Sequence, residues 1–141
     1  MTIIETDERP TSEVFHPGET MIQQRLGVRE RIEDVGRRVV RDHMPDQHRT
    51  FFAQLPFILI GALDANRQPW ATVVAGPPGF IQSPDPKSLV IDAKPHPTDP
   101  LAGALVPAAP IALLGIEPHT RRRNRMNGIV RKSSGTGLYI T

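Results

Sequence analysis

The sequence predicts a mainly β protein, a small closed antiparallel β-barrel of about six short strands with helical decoration at its N-terminal end. Three observations point there. Before Pro56 apolar residues recur at helical spacing, whereas from Phe57 onward they come in short runs of β formers bounded by turn residues. Prolines (15) and glycines (11) are numerous for a chain of 141 residues, which favours short elements over long helices. Successive strands lie close enough in sequence to be joined by hairpins and tight turns, so the sheet is antiparallel, and closure would remove its open edges.

Taken in order, residues 1–14 read as a polar, flexible tail. The stretch HPGETMIQQRLG predicts a short helix stopped by Gly27, a favourable residue just past a helix end. In VRERIEDVGRRVVRDHMP, Val28, Ile32, Val35 and Val39 share one helical face, Glu33–Arg37 and Asp34–Arg38 form i, i+4 ion pairs on the other, and Pro45 is the expected stop. A third helix is predicted from Asp46 as its N-cap, burying Phe51, Phe52 and Leu55. FILIGAL (57–63) and PWATVVAG (69–76) read as a β-hairpin across DANRQ, with Asn66 at the position needing a positive φ. PPGF is a turn and SLVID (88–92) a short strand. In the connector that follows, Asp99 as N-cap and Pro100 as first residue predict a helical turn. IALLGIEP (111–118), RNRMNGIVRK (123–132) and GLYIT supply the remaining strands.

Composition limits the function classes. Apolar residues make up 38% and charged residues 23% of the chain, as in a soluble globular domain, and the formal net charge is only +2. A general nucleic-acid binder usually shows a broader basic footprint, and five Phe, one Trp and one Tyr are few for base stacking. The absence of cysteine excludes disulfides, thiolate catalysis and Cys-ligated metals. No secretion signal or membrane span is recognisable, which makes a cytoplasmic location the default expectation.

The chemistry-bearing stretch is RRRNRMNG (121–128), with four arginines in five residues. On a strand, alternation puts Arg121, Arg123, Arg125 and Asn127 on one face and Arg122, Asn124, Met126 and Gly128 on the other. Such a pattern fits a solvated basic strand, or a guanidinium wall for a phosphate or an electron-rich ring, since the planar fork of arginine binds oxyanions at two points. The helix start in HPTDPLAG, preceded by Lys94 and His96, is a second anion candidate. His43 and His48 flank Asp46 but lack a third ligand at convincing spacing, so a structural or surface role is expected and no metal site is assigned. His16 and Glu19 in FHPGE are candidates for an acid/base pair. GPPG (76–79) is turn chemistry, because its prolines lack the N–H donors of a phosphate cradle.

QLPFILIGALDANRQPWATVVAGPPGF, DPLAGALVPAAPIALLGIE and TRRRNRMNG, together with FHPGE and MPDQHRTFF, resemble the flavin-nucleotide-binding proteins related to pyridoxamine 5′-phosphate oxidase, over roughly residues 15–130. The resemblance implies an FMN-binding split barrel occupying 15–141, with N-terminal helices over 19–55 and barrel over 56–141, usually a homodimer with FMN at the subunit interface. It implies flavin contacts from Ala71, Thr72, Val73 and Val74 on the strand after the hairpin, from Asp92 and Ala93 at the strand end before the connector, and from Thr98, Asp99 and Leu101 in a phosphate-binding turn. Thr72 stands near where the vitamin-B6 oxidases carry an arginine, and the Ser-Arg-Lys triplet usual in the phosphate turn is absent. Arg123, Arg125 and Asn127 would then complete the cofactor wall. The site for the B6 phosphate is not recognisable, and the resembling proteins continue with further sheet where this chain stops at Thr141, which implies an altered or shortened C-terminus.

The function expected from the resemblance is FMN-dependent oxidoreduction with a small-molecule substrate or electron donor such as NAD(P)H, and with no nucleic-acid or membrane partner. No catalytic side chain is assigned. A flavin-binding module without turnover, acting as carrier or sensor, shares every motif. A nucleic-acid-binding barrel using the arginine strand is the third reading.

Overall fold

A computed structural model describes residues 14–141, so the expected tail lies, except for Val14, outside the described residues. The chain divides into two compact units, with the break between Asp42 and His43.

The first unit holds α1 (Pro17–Arg25) and α2 (Arg29–Val39). His16 caps α1: its Nδ1 accepts from the backbone N–H groups of Gly18 (3.1 Å) and Glu19 (3.4 Å), while the Glu19 carboxylate accepts from the His16 N–H at 3.0 Å. The reciprocal bonds form a capping box, so the pair expected as acid and base satisfies a helix terminus instead. Gly27 ends the helix as expected, at φ +67°. In α2 the Glu33–Arg37 pair forms at 3.1 Å and the Asp34–Arg38 pair also forms. The helix stops at Val39 rather than running to Pro45, because Val40 is already extended. Two successive β-branched valines weaken the last turn before any proline is needed.

The second unit is an antiparallel sheet of seven strands with one helix on it. Its elements are α3 (Asp46–Ala53), β1 (Phe57–Leu63), β2 (Pro69–Ala75), β3 (Ile81–Gln82), β4 (Leu89–Ile91), β5 (Pro110–Glu117), β6 (Arg122–Ser134) and β7 (Gly137–Ile140). The strand order is β2-β1-β5-β6-β7-β4-β3, an open sheet. β6 is the spine: up to Ile129 it pairs with β5, and from Val130 on it pairs with β7, with an irregularity between Val130 and Lys132. An extra residue of this kind bends and twists a strand, which lets one strand serve both parts of the sheet.

Alternation sorts the side chains. Ile58, Ile60, Val74, Ile111, Leu113 and Val130 point inward and join Phe51, Phe52 and Leu55 of α3 in one core, with Ile81, Leu89, Ile91, Leu138 and Ile140 from the other strands. α3 seats closely because residue 115 is glycine: a Cβ there would stand 2.7 Å from Leu55 Cδ1 and 2.9 Å from Phe51 Cε1. Gly128 serves a similar purpose for the backbone of Thr141, whose carbonyl would lie 2.7 Å from an added Cβ.

Three local expectations are corrected. α3 takes Pro45 as its N-cap, with no side-chain cap, and Asp46 as its first residue. The Asp46 carboxylate turns to Arg49 at 3.0 Å rather than to the helix N–H groups. In the hairpin, Arg67 (φ +61°) rather than Asn66 has the positive φ. Asp64 Oδ1 accepts from both Asn66 N and Gln68 N at 2.8 Å, which fixes the loop from its first residue and moves the left-handed position one place on. The connector forms successive turns instead of a helix. There Asp99 Oδ1 accepts from the Leu101 N–H two residues on, at 2.8 Å, an Asx turn that competes with helical bonding.

Candidate functional site

The residues singled out in sequence fall into three places. The largest is the outer face of β2-β1-β5-β6. Register puts Val73, Leu59, Leu114 and Arg125 in one row across the four strands, and Ala71, Gly61, Ala112 and Asn127 in the next. Three interstrand gaps make each row about 14 Å wide, the scale of a flat tricyclic ring. The apolar end is open to solvent, with Val73 57% exposed. At the other end Arg123, Arg125 and Asn127 are all exposed. Arg125 Nε donates to Asn127 Oδ1 at 3.1 Å, which holds that guanidinium along the strand. The face therefore offers an apolar floor of small and branched residues, with cations and an amide along one margin.

The second place is under β2. Thr72 and Val74 point to the inner face, the opposite side from Ala71 and Val73. Val74 and Leu101 are core residues, so any contact they make with a ligand is through backbone. Thr72 Oγ1 donates to Asp99 Oδ2 at 2.5 Å. The expected phosphate turn thus carries a carboxylate at its head, and that carboxylate also occupies the Leu101 N–H. Thr98 closes the turn from its other side, its backbone N–H donating to His96 Nδ1 at 3.3 Å. A helix N-terminus, the feature that made this turn an anion candidate, is not formed here.

The third place is the end of β4. Asp92 Oδ1 accepts from Thr136 Oγ1 at 2.8 Å, tying β4 to the β6–β7 turn, and Ala93 packs against the core. Asp92 and Ala93 therefore belong to the part of the sheet beyond β6.

Arg121 and Arg122 depart from the strand reading. Arg121 sits at φ +59° in the β5–β6 turn and is not part of the alternation. Arg122 lies on the inner face, with its guanidinium carbon 4.9 Å from the centre of the Phe51 ring. Sequence reasoning missed this contact, since nothing local links positions 51 and 122. Trp70 is likewise on the Thr72 side of β2, its indole N–H donating to Asp64 Oδ2 at 2.9 Å. Among the described residues no three His, Cys, Asp or Glu side chains are grouped to hold a metal ion, and no helix is long and apolar enough to cross a membrane.

Comparison of the chain with protein-family models, with curated proteins and with solved structures gives no significant match.

Proposed function

We propose that the protein binds FMN on the outer face of β2-β1-β5-β6 as a split-barrel flavoprotein, and that it acts as a flavin-dependent oxidoreductase on a small molecule. The observation that carries this reading is the row Val73–Leu59–Leu114–Arg125, an apolar floor, exposed at Val73 and half-buried at the two leucines, that ends in a guanidinium. An aromatic ring system buries its faces on apolar surface and presents carbonyl oxygens at one edge; branched aliphatic residues and arginine answer those two needs. Bound FMN would supply the electron transfer. The chain would bind and orient the ring through Ala71 and Val73, stabilise negative charge at its carbonyl edge through Arg123 and Arg125, and exclude water by burying the floor. The sequence resemblance to proteins related to pyridoxamine 5′-phosphate oxidase supports the same cofactor.

An open apolar face of this kind is costly in water unless covered. A second protomer laid on the flavin would cover it and give a homodimer with the cofactor between subunits. Thr72 and Asp99 then act behind the floor, bracing β2 from its inner side.

The test is direct. Protein loaded with FMN is mixed anaerobically with NADH or NADPH and the visible flavin absorbance followed. Bleaching at a catalytic rate identifies an oxidoreductase. Stable flavin colour with either donor identifies a binding module without turnover by these donors, and failure to retain FMN rejects the cofactor.

A further inference from the structure

The turn between β5 and β6 meets the first turn of α3 around an open recess of about 300 Å³ lined by Gln47, His48, Arg121, Arg122, Arg123 and Asn124. Three successive arginines, an imidazole and two amides line it, with Arg122 and Asn124 on one face of β6 and Arg123 on the other. None of the three arginines has a carboxylate within ion-pair distance among the described residues, whereas Arg29, Arg37, Arg38 and Arg49 all do. The nearest acid in register is Glu117, opposite Arg122. Its Oε1 accepts from Gln54 at 2.7 Å, its Oε2 accepts from Thr120 Oγ1 and lies 4.0 Å from His119 Nε2, and the carboxylate forms no ion pair with the three arginines. Asp46 belongs to a different hollow, with Arg49 and Ser83.

Like charges held together without a counter-ion repel one another, and a bound anion removes that cost. The Arg122 side chain and the Arg121 backbone are also constrained. Arg122 lies on the Phe51 ring, and Arg121 occupies a left-handed backbone position fixed by its N–H bond to Pro118 O at 3.3 Å. His48 is half-buried on α3 and lines the same recess. Guanidinium forks, an imidazole and amide N–H groups together match a tetrahedral oxyanion with several acceptors rather than a single carboxylate.

We propose that this recess is a phosphate site, taking the phosphate of a small phosphorylated molecule. It is separate from the outer-face floor: Arg125 and Asn127 do not line it. The proposal does not depend on flavin binding. Only Arg123 belongs to both surfaces, so the test uses Arg121 and His48.

The full chain is titrated calorimetrically, without flavin and at low salt, with inorganic phosphate, pyrophosphate and AMP in separate runs. Saturable binding of at least one of the three, with a dissociation constant of about a millimolar or tighter, is expected. Arg121→Asn, which suits the left-handed backbone, and His48→Ala should each weaken it about tenfold, the order expected when one charge-assisted bond is lost. Arg131→Gln removes the same charge away from the recess and should leave binding within about twofold, a separation that general charge attraction would not give. Tighter binding of AMP than of phosphate points to a nucleotide, and the reverse to a free phosphate or pyrophosphate. Absence of saturable binding in the wild type, or equal losses in Arg121→Asn and Arg131→Gln, overturns the proposal. So does binding lost in Arg125→Ala but kept in Arg121→Asn, which would place the anion on the outer face. Unchanged thermal melts in the variants ensure that lost binding is not lost folding.

Discussion

At Arg125 a single side chain links the sequence pattern to the proposed chemistry. It ends the apolar row across four strands and is steadied by Asn127 at 3.1 Å. A charge-assisted hydrogen bond of this type contributes about 1.5–3 kcal/mol, so Arg125→Ala or Arg123→Ala should weaken FMN binding about tenfold to a hundredfold in a flavin fluorescence titration. Arg122 behaves differently, because it faces inward over Phe51. Arg122→Ala should leave FMN affinity nearly unchanged and lower the melting free energy by about 0.5–1 kcal/mol, the scale of an exposed cation–π contact. The faces of Arg122, Arg123, Arg125 and Asn127 were legible, since strand alternation is local. The place of Arg121 was not, because the turn before β6 takes that residue out of the strand. Nor was the Phe51 contact, which depends on how α3 docks.

Among the elements, the β1–β2 hairpin was legible almost to the residue: 57–63 and 69–76 were expected, and Phe57–Leu63 and Pro69–Ala75 form. Its loop was misread because side-chain capping by Asp64 outweighs the left-handed preference of Asn66. That carboxyl is held below its ordinary range, first by the Gln68 backbone N–H, against some desolvation, and further by the Trp70 indole and the Asn66 N–H. A carboxylate with a depressed folded pKa contributes stability above its unfolded value, near 3.9, and loses it as pH falls through the lower folded value. Trp70, the only tryptophan, reports on this bond. Its emission should stay constant from neutral pH to about pH 4 and change only below that, and Asp64→Ala should show the acid-like emission already at neutral pH. A change centred near neutral pH in the wild type would contradict the assignment. The two-residue β3 was passed over because it is too short to show a period. The helix expected at Pro100 failed because Asp99 bonds within its own turn. Close seating of α3 on β5 gives a further test: Gly115→Ala would place a Cβ 2.7 Å from Leu55, and denaturant unfolding should show a loss of about 1–3 kcal/mol, as overpacking does.

For the whole molecule, the mainly antiparallel sheet was legible from composition and run length. Its strand order and openness were not, because the pairings of β5 with β1 and of β4 with β7 join segments far apart in sequence. The same long-range pairings assemble the outer face: no stretch of sequence brings Val73 into line with Arg125. If a second protomer covers that face, Val73→Lys, at the exposed end of the floor, should convert a dimer to a monomer in light scattering without lowering the melting temperature. A wild-type chain that is monomeric at micromolar concentration would rule out a second protomer as the cover of that face. FMN binding on the outer face is tested most directly by titration of FMN with the wild-type chain, followed by flavin fluorescence. Binding on the outer face predicts a saturable change at one FMN per chain. Fluorescence that stays at the value of free FMN throughout the titration would contradict it.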